Sequence, residues 1–195
     1  MSVQALISHL NEYLPRDPEE EASLAQHVSS RKMKRRQYLL AQGEVCKHYS
    51  FVVEGCFKMY KVDEAAKQHN IMFAAEGDWV VDIGSFHAET PSELYIEAME
   101  PGEVIQISKS DLIPFYRSSL KINRTFRVII ENQFVELQNR LLQTISTTAE
   151  ERYEAFMQQY PDLLNRIPSA QIASYLGITP EFLSRIRSKP ASRES

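Results

Sequence analysis

Apolar residues change their rhythm along this chain, and each rhythm predicts a different kind of element. Near the start Val3, Leu6, Ile7 and Leu10 recur at helical spacing until Pro15 and Pro18 break the run, so residues 3–28 read as short helices. From about 36 to 110 the texture turns to short β-branched and aromatic runs at 38–40, 51–53, 57–62, 71–73, 94–98 and 104–107. Gly43, Gly55, Gly77, Gly84 and the Pro101-Gly102 pair fall between them. Short strands separated by regular turn signals predict a jelly-roll-like β-barrel.

The third rhythm is a long one. Between Ser118 and Thr148 there is no proline or glycine, and Phe126, Ile130, Phe134, Leu137, Leu141 and Ile145 repeat every three or four residues. A helix of that length runs for about 40 Å at 1.5 Å per residue, enough to overhang a small domain. Its apolar stripe, with Phe126, Ile130, Phe134, Leu137 and Leu141 as contacts, predicts pairing with a second copy of the chain; burial against its own barrel is the alternative. Thr147 with Glu150, or Thr148 with Glu151, then forms a capping box that starts a new helix over 149–159. The expected class is α+β: a barrel with flanking helices over 1–117, a dimerisation helix over 118–146 and a small helical domain over 147–195.

Residues 169–189 carry the chemistry. Ser169 can cap a helix whose Ile172, Ala173 and Leu176 face inward, Gly177 supplies a left-handed turn, and Thr179 with Pro180 opens a second helix that buries Phe182, Leu183 and Ile186. Two short helices about a tight glycine turn form a helix-turn-helix, whose second helix enters the DNA major groove. Glu181, Ser184, Arg185 and Ser188 share its polar face. Arginine donates bidentately to guanine and glutamate accepts from cytosine N4, so Glu181, Ser184 and Arg185 are the expected base contacts. Ser169, Thr179, Arg187 and Lys189 are the expected phosphate contacts.

Charge supports this placement only locally. The net charge is −4, which argues against general coating of nucleic acid. Residues 163–195 nevertheless hold five bases against two acids, a basic end on an acidic chain. The denser run Arg31 to Arg36 reads as a solvated strand or turn. Cys46 and Cys56 form no metal-binding pair and are expected as buried free thiols. No signal peptide or membrane span is legible, which predicts a cytoplasmic protein.

With these residues in hand, the chain resembles the CRP/FNR superfamily of bacterial transcription regulators over nearly its whole length. The likeness rests on Tyr38-Leu39-Leu40-Ala41-Gln42-Gly43-Glu44, Phe51-Val52-Val53-Glu54-Gly55, Glu76-Gly77-Asp78-Trp79, Ile96-Glu97-Ala98-Met99-Glu100, Ala149-Glu150-Glu151-Arg152-Tyr153, Ile172-Ala173-Ser174-Tyr175-Leu176-Gly177-Ile178 and Leu183-Ser184-Arg185-Ile186. The resemblance implies a cyclic-nucleotide-binding-like β-roll as sensor, a dimerisation helix and a DNA-binding domain. It implies double-stranded DNA, a second copy of the chain and RNA polymerase as partners, and an effector pocket at Asp82, Gly84, Ser85, Ser92 and Glu93. Here the chain departs from cyclic-nucleotide-binding members. Ser92 stands where they place a phosphate-binding arginine, and Glu93 sets negative charge beside the phosphate position. Cyclic AMP is therefore not expected, no cofactor is expected, and another small-molecule effector stays open. Pro180 replaces an arginine that some members use, so one base contact is absent.

Two readings compete. A ligand-sensing or interaction β-roll with a non-functional helix-turn-helix would share every feature except DNA binding. A cupin-like metal enzyme would need a cluster drawn from Cys46, His48, Asp82 and His87, but none of the five histidines forms an HxH pair and no nucleophile elbow or phosphate loop is present. No enzymatic activity is expected.

Overall fold

The computed structural model describes residues 2–188; Lys189, one of the expected phosphate contacts, lies outside them. Two helices open the chain, α1 (Ser2–Tyr13) and α2 (Pro18–Gln26). The Asp17 side chain accepts from the Glu20 amide while Glu20 caps in return, and Pro18 sits at the first helical position, where it loses no hydrogen bond. Leu6, Ile7 and Leu10 form the buried face of α1, as their spacing predicts.

Eight strands follow: β1 (Val28–Met33), β2 (Tyr38–Leu40), β3 (His48–Glu54), β4 (Phe57–Val62), β5 (Gln68–Ala74), β6 (Trp79–Val80), β7 (Tyr95–Ala98) and β8 (Gly102–Ser108), with helix α3 (Ile83–Ala88) between β6 and β7. They pair antiparallel in two four-stranded sheets, ordered β1-β8-β3-β6 and β2-β7-β4-β5. This is the expected β-roll. The turn between β3 and β4 passes so close to the start of β8 that a Cβ on Gly102 would lie 2.2 Å from the Glu54 carbonyl oxygen. Only glycine fits there. The basic run lies on β1 and the turn after it, with Lys32, Lys34, Arg35 and Arg36 exposed.

Alternation along β3 divides the core. Tyr49 and Phe51 pack against helices: Tyr49 meets Phe126 with ring centroids 5.9 Å apart, and Phe51 meets His9 of α1 at 4.9 Å. Ser50 and Val52, also buried, point between the sheets. After β8 the chain forms α4 (Lys109–Ser118), capped by the Ser108 hydroxyl, which accepts from the Asp111 amide. This helix was not legible in sequence because Pro114 interrupts it. Then comes α5 (Leu120–Ser146), a helix of 27 residues.

The structure splits the apolar stripe of α5. Ile122, Phe126 and Ile129 are buried against the β-roll, and Trp79 lies 5.2 Å from Phe126. Phe126 is thus part of the chain's own core rather than a free contact surface, and Ile130 is half-buried. The stripe was read as one surface, but the helix lies on the roll for its first third and leaves it afterwards. Beyond that point Phe134, Val135, Leu137, Leu141, Leu142 and Ile145 are exposed by 51–74%.

Helix α6 (Ala149–Gln159) starts at a capping box between Thr148 and Glu151, the second of the two expected pairs. Helices α7 (Ser169–Leu176) and α8 (Pro180–Ser188) are the last elements of the described residues. Phe156, Leu163, Ile167, Ile172, Ala173, Leu176 and Leu183 form their core, which also takes in Cys56 and Phe73 of the β-roll. Both cysteines are free and buried. No helix among the described residues is long and apolar enough to cross a membrane.

Candidate nucleic-acid interface

The bend between α7 and α8 is built by three residues. Gly177 closes α7 at φ +70°, its amide donating to the Ala173 and Ser174 carbonyls, and the Ile178 amide bonds back to Ala173. A residue with a Cβ is strained at that φ, which is why glycine stands there. The Thr179 hydroxyl accepts from the Phe182 amide at 3.2 Å and caps α8, and Pro180 takes its first position. Ile172, Ala173, Leu176, Leu183 and Ile186 are buried, so the two helices are held by a shared apolar seam.

That seam fixes which residues face out. Glu181, Ser184, Arg185, Arg187 and Ser188 are all exposed on α8. The Glu181 carboxyl is held below the usual carboxylate range, first by its own backbone amide, then by the Thr179 hydroxyl, with Arg185 adding to the effect. It is therefore an anionic acceptor at neutral pH. Arg185 makes no ion pair with it; its guanidinium lies 5.1 Å from the Phe182 ring. Phe182 is half-buried rather than buried as its spacing predicts.

The expected phosphate contacts are arranged differently from the sequence reading. Ser169 is the first residue of α7 and not its cap; Pro168 holds the cap position without a side-chain bond. Its hydroxyl instead accepts from Arg187 Nη1 at 2.7 Å, and Arg187 Nε donates to the Tyr153 hydroxyl at 3.0 Å. Ser169 and Arg187, 18 residues apart, are brought together beside α8. Thr179 is exposed while its hydroxyl is engaged as a cap.

Sequence reasoning missed the way α7 seats on the β-roll. The Asn70 side-chain amide donates to both the backbone and side-chain oxygens of Gln171 at 2.9 Å. Ser174 Oγ donates to the Gln68 carbonyl at 2.7 Å and accepts from the Asn70 amide at 3.2 Å. From α5, Arg140 lies 3.9 Å from the Tyr175 ring and donates to the Asn70 and Tyr175 carbonyls. Arg166 clasps Glu76 with two bonds of 2.9 Å and also binds Glu100. The small-polar pattern on α7 is the only signal that could have suggested this, since the β-roll partners of Gln171 and Ser174 lie more than 100 positions away.

The expected effector residues close on one another. Asp82 caps α3 by accepting from the Ser85 amide, and it also accepts from the Ser92 hydroxyl at 2.6 Å. Ser85 Oγ donates to the Thr90 carbonyl and accepts from the Cys46 amide. Gly84 lies in the first turn of α3. Glu93 is exposed and pairs with Lys61. A cyclic phosphate would meet Asp82 and Glu93 here, and a serine already committed to a carboxylate where an arginine would be needed, so these residues do not fit a cyclic nucleotide. A cavity of about 440 Å³ opens between the sheets, lined by none of these five residues. Cys46, His48, Asp82 and His87 form no metal-holding group among the described residues.

Comparison with known proteins accords with this architecture. Residues 30–119 match the cyclic nucleotide-binding domain family. The transcriptional activatory protein AadR of Rhodopseudomonas palustris is 28% identical over 191 residues, spanning 90% of this chain and 75% of AadR. FixK2 of Bradyrhizobium japonicum superposes with a TM-score of 0.73 at 19% identity, covering 83% of both chains. A CooA variant of Carboxydothermus hydrogenoformans superposes with a TM-score of 0.72 at 15% identity, over 91% of this chain and 82% of that one. In this chain the β-roll, the long helix and the two helices about Gly177 follow in the order the sequence predicts. The departures at Ser92 and Glu93 lie inside the residues that match the cyclic nucleotide-binding domain.

Proposed function

We propose that this chain is a homodimeric, sequence-specific DNA-binding transcription regulator whose effector is not a cyclic nucleotide. The observation that carries the reading is the outer face of α8: Glu181, Ser184 and Arg185 stand exposed on a helix whose opposite face is locked by Leu183 and Ile186. Seating α7 on β5 leaves that face open. Arg185 reads guanine, Glu181 reads cytosine, and Ser169, Thr179, Arg187 and Lys189 position the phosphates.

Dimerisation supplies the second half-site. The exposed apolar side chains of α5 from Phe134 to Ile145 match a second copy of the same helix, with Phe134, Leu137 and Leu141 keeping a seven-residue repeat. A two-fold dimer places two copies of α8 in successive major grooves, so its site is an imperfect palindrome with half-sites about 10 base pairs, or a multiple, apart. RNA polymerase is then the partner through which DNA binding alters transcription, as the name of the relative AadR suggests for an activator.

The test is selection of bound sites from a random DNA pool by the full-length protein, followed by salt titration on the selected site. A palindromic consensus with a steep fall of affinity with salt supports the reading. A folded dimer that retains no sequence at low salt overturns it in favour of a β-roll with a silent helix-turn-helix.

A further inference from the structure

Five aromatic residues fall between Thr147 and Ser188, and four of them serve the core of the small helical domain. Phe156 is buried in it, and Tyr153, Tyr160 and Tyr175 pack against it. Phe182 does neither. It belongs to no apolar cluster and pairs with no other ring among the described residues. Its half-exposed ring meets Arg185, one turn further along α8, whose guanidinium lies 5.1 Å from the ring centre.

Helical geometry explains that position. At 3.6 residues per turn Phe182 lies about 40° round the helix from Ile186 of the buried seam and about 60° from Arg185 of the outward face. Glu181, Ser184 and Ser188 lie on the other side of Arg185. The ring therefore stands where the seam meets the polar face, and Arg185 has a carboxylate on one flank and a phenyl group on the other. A lone exposed phenylalanine is ordinary on a protein surface, but at the edge of a base-reading face it changes what that face can distinguish. A phenyl ring has no donor or acceptor. In the major groove guanine, adenine and cytosine present ring nitrogens, carbonyls or amino groups, and thymine alone adds a methyl group. A ring held there is matched by thymine and desolvates polar edges of the other bases.

We propose that Phe182 is a specificity-determining residue of α8, its ring packing on the C5-methyl group of a thymine next to the guanine that Arg185 contacts. The inference rests on the reading of α8 as the DNA-contacting helix. It adds to that reading a base selected by apolar contact rather than by a hydrogen bond.

The experiment replaces each thymine of the selected site in turn by deoxyuridine, which keeps pairing and the O4 acceptor and removes only the methyl group. Binding by the full chain is measured at fixed salt. One thymine per half-site, beside the guanine at which Arg185→Ala loses its preference, should weaken binding roughly fourfold when replaced. Replacement in both half-sites should weaken it about fifteenfold, the worth of one buried methyl group each. Phe182→Gln should bind thymine and deoxyuridine alike at that position while keeping its preference for the guanine, and a thermal melt checks that it folds. A ring with a merely structural role would instead weaken all sequences together and leave the thymine-to-deoxyuridine ratio at the parent value. The proposal is overturned if every thymine accepts deoxyuridine, if no thymine neighbours that guanine, or if Phe182→Gln keeps the parent ratio. The deoxyuridine scan uses the parent protein, so it decides the matter even if the variant does not fold. A chain that selects no site overturns the regulator reading along with this one, whereas a selected site indifferent to the methyl group overturns this one alone.

Discussion

Leu141→Ala separates dimerisation from folding. In the single chain Leu141 is 59% exposed, so its removal costs the isolated protomer little. Fully burying a leucine side chain contributes about 1.5–3 kcal/mol, and covering the exposed fraction contributes about 1–2 kcal/mol. A two-fold interface uses the residue twice, so one substitution should weaken the dimer by about 2–4 kcal/mol, roughly 30- to 1000-fold in dissociation constant. Sedimentation over a concentration series reads this directly. The melting temperature at a concentration where both forms are monomeric should be nearly unchanged. Phe126→Ala is the contrasting case. Its ring is 2% exposed among Tyr49, Trp79 and Tyr116, so it should destabilise the protomer itself by about 3–5 kcal/mol. If Leu141→Ala associates as tightly as the parent, or if the parent is monomeric at about 100 times the concentration used for DNA binding, the exposed half of α5 is not the interface.

Other expectations follow from single contacts. Gly177→Ala should cost about 1–2 kcal/mol of stability in a thermal melt, since φ +70° must be kept by a residue with a Cβ; an unchanged melt would show that the bend relaxes freely. Lys189→Ala should weaken binding to all DNA sequences alike and lower the salt slope by about one; a change confined to one base position would make it a base contact. The Arg166 clasp gives a pH dependence. Glu76 is partly desolvated, which works against ionisation, but Arg166 and two backbone amides hold its carboxyl below the usual range. A carboxyl with a depressed folded pKa contributes stability above its unfolded pKa and loses it as pH falls through the folded value. Arg166→Ala should therefore lower the melting temperature at pH 6 to 7, and the gap to the parent should close as pH falls below about 4; a gap that persists at pH 3 would mean the clasp is not electrostatic.

What could be read from sequence was whatever a local pattern dictates. Gly55 and the Pro101-Gly102 pair marked turns because close backbone approach admits nothing larger, and Gly177 with Thr179 and Pro180 fixed the bend because each is selected by backbone geometry. The apolar stripe of α5 was also visible, but a stripe does not say what covers it. Phe126 and Phe134 look alike in sequence, and only the place where the helix leaves the roll makes one core and the other surface. Ser169 shows the same limit: a serine before an apolar helical run reads as a cap, yet Arg187 claims its hydroxyl from a neighbouring helix. The seating of α7 on β5 and the buried bond in the cavity lining depend on pairs such as Asn70 with Gln171 and Ser50 with Gln106, over 50 positions apart. Nothing local encodes such partners.

Affinity of the parent and of Arg185→Ala for a panel of single-base variants of the selected site, at fixed salt, tests the outward face of α8 most directly. The parent should discriminate at the guanine that Arg185 contacts by roughly 1–3 kcal/mol, and Arg185→Ala should lose that preference while keeping the others. A substitution that lowers affinity equally for every variant would make Arg185 a phosphate contact, and one that lowers none would remove α8 from the interface.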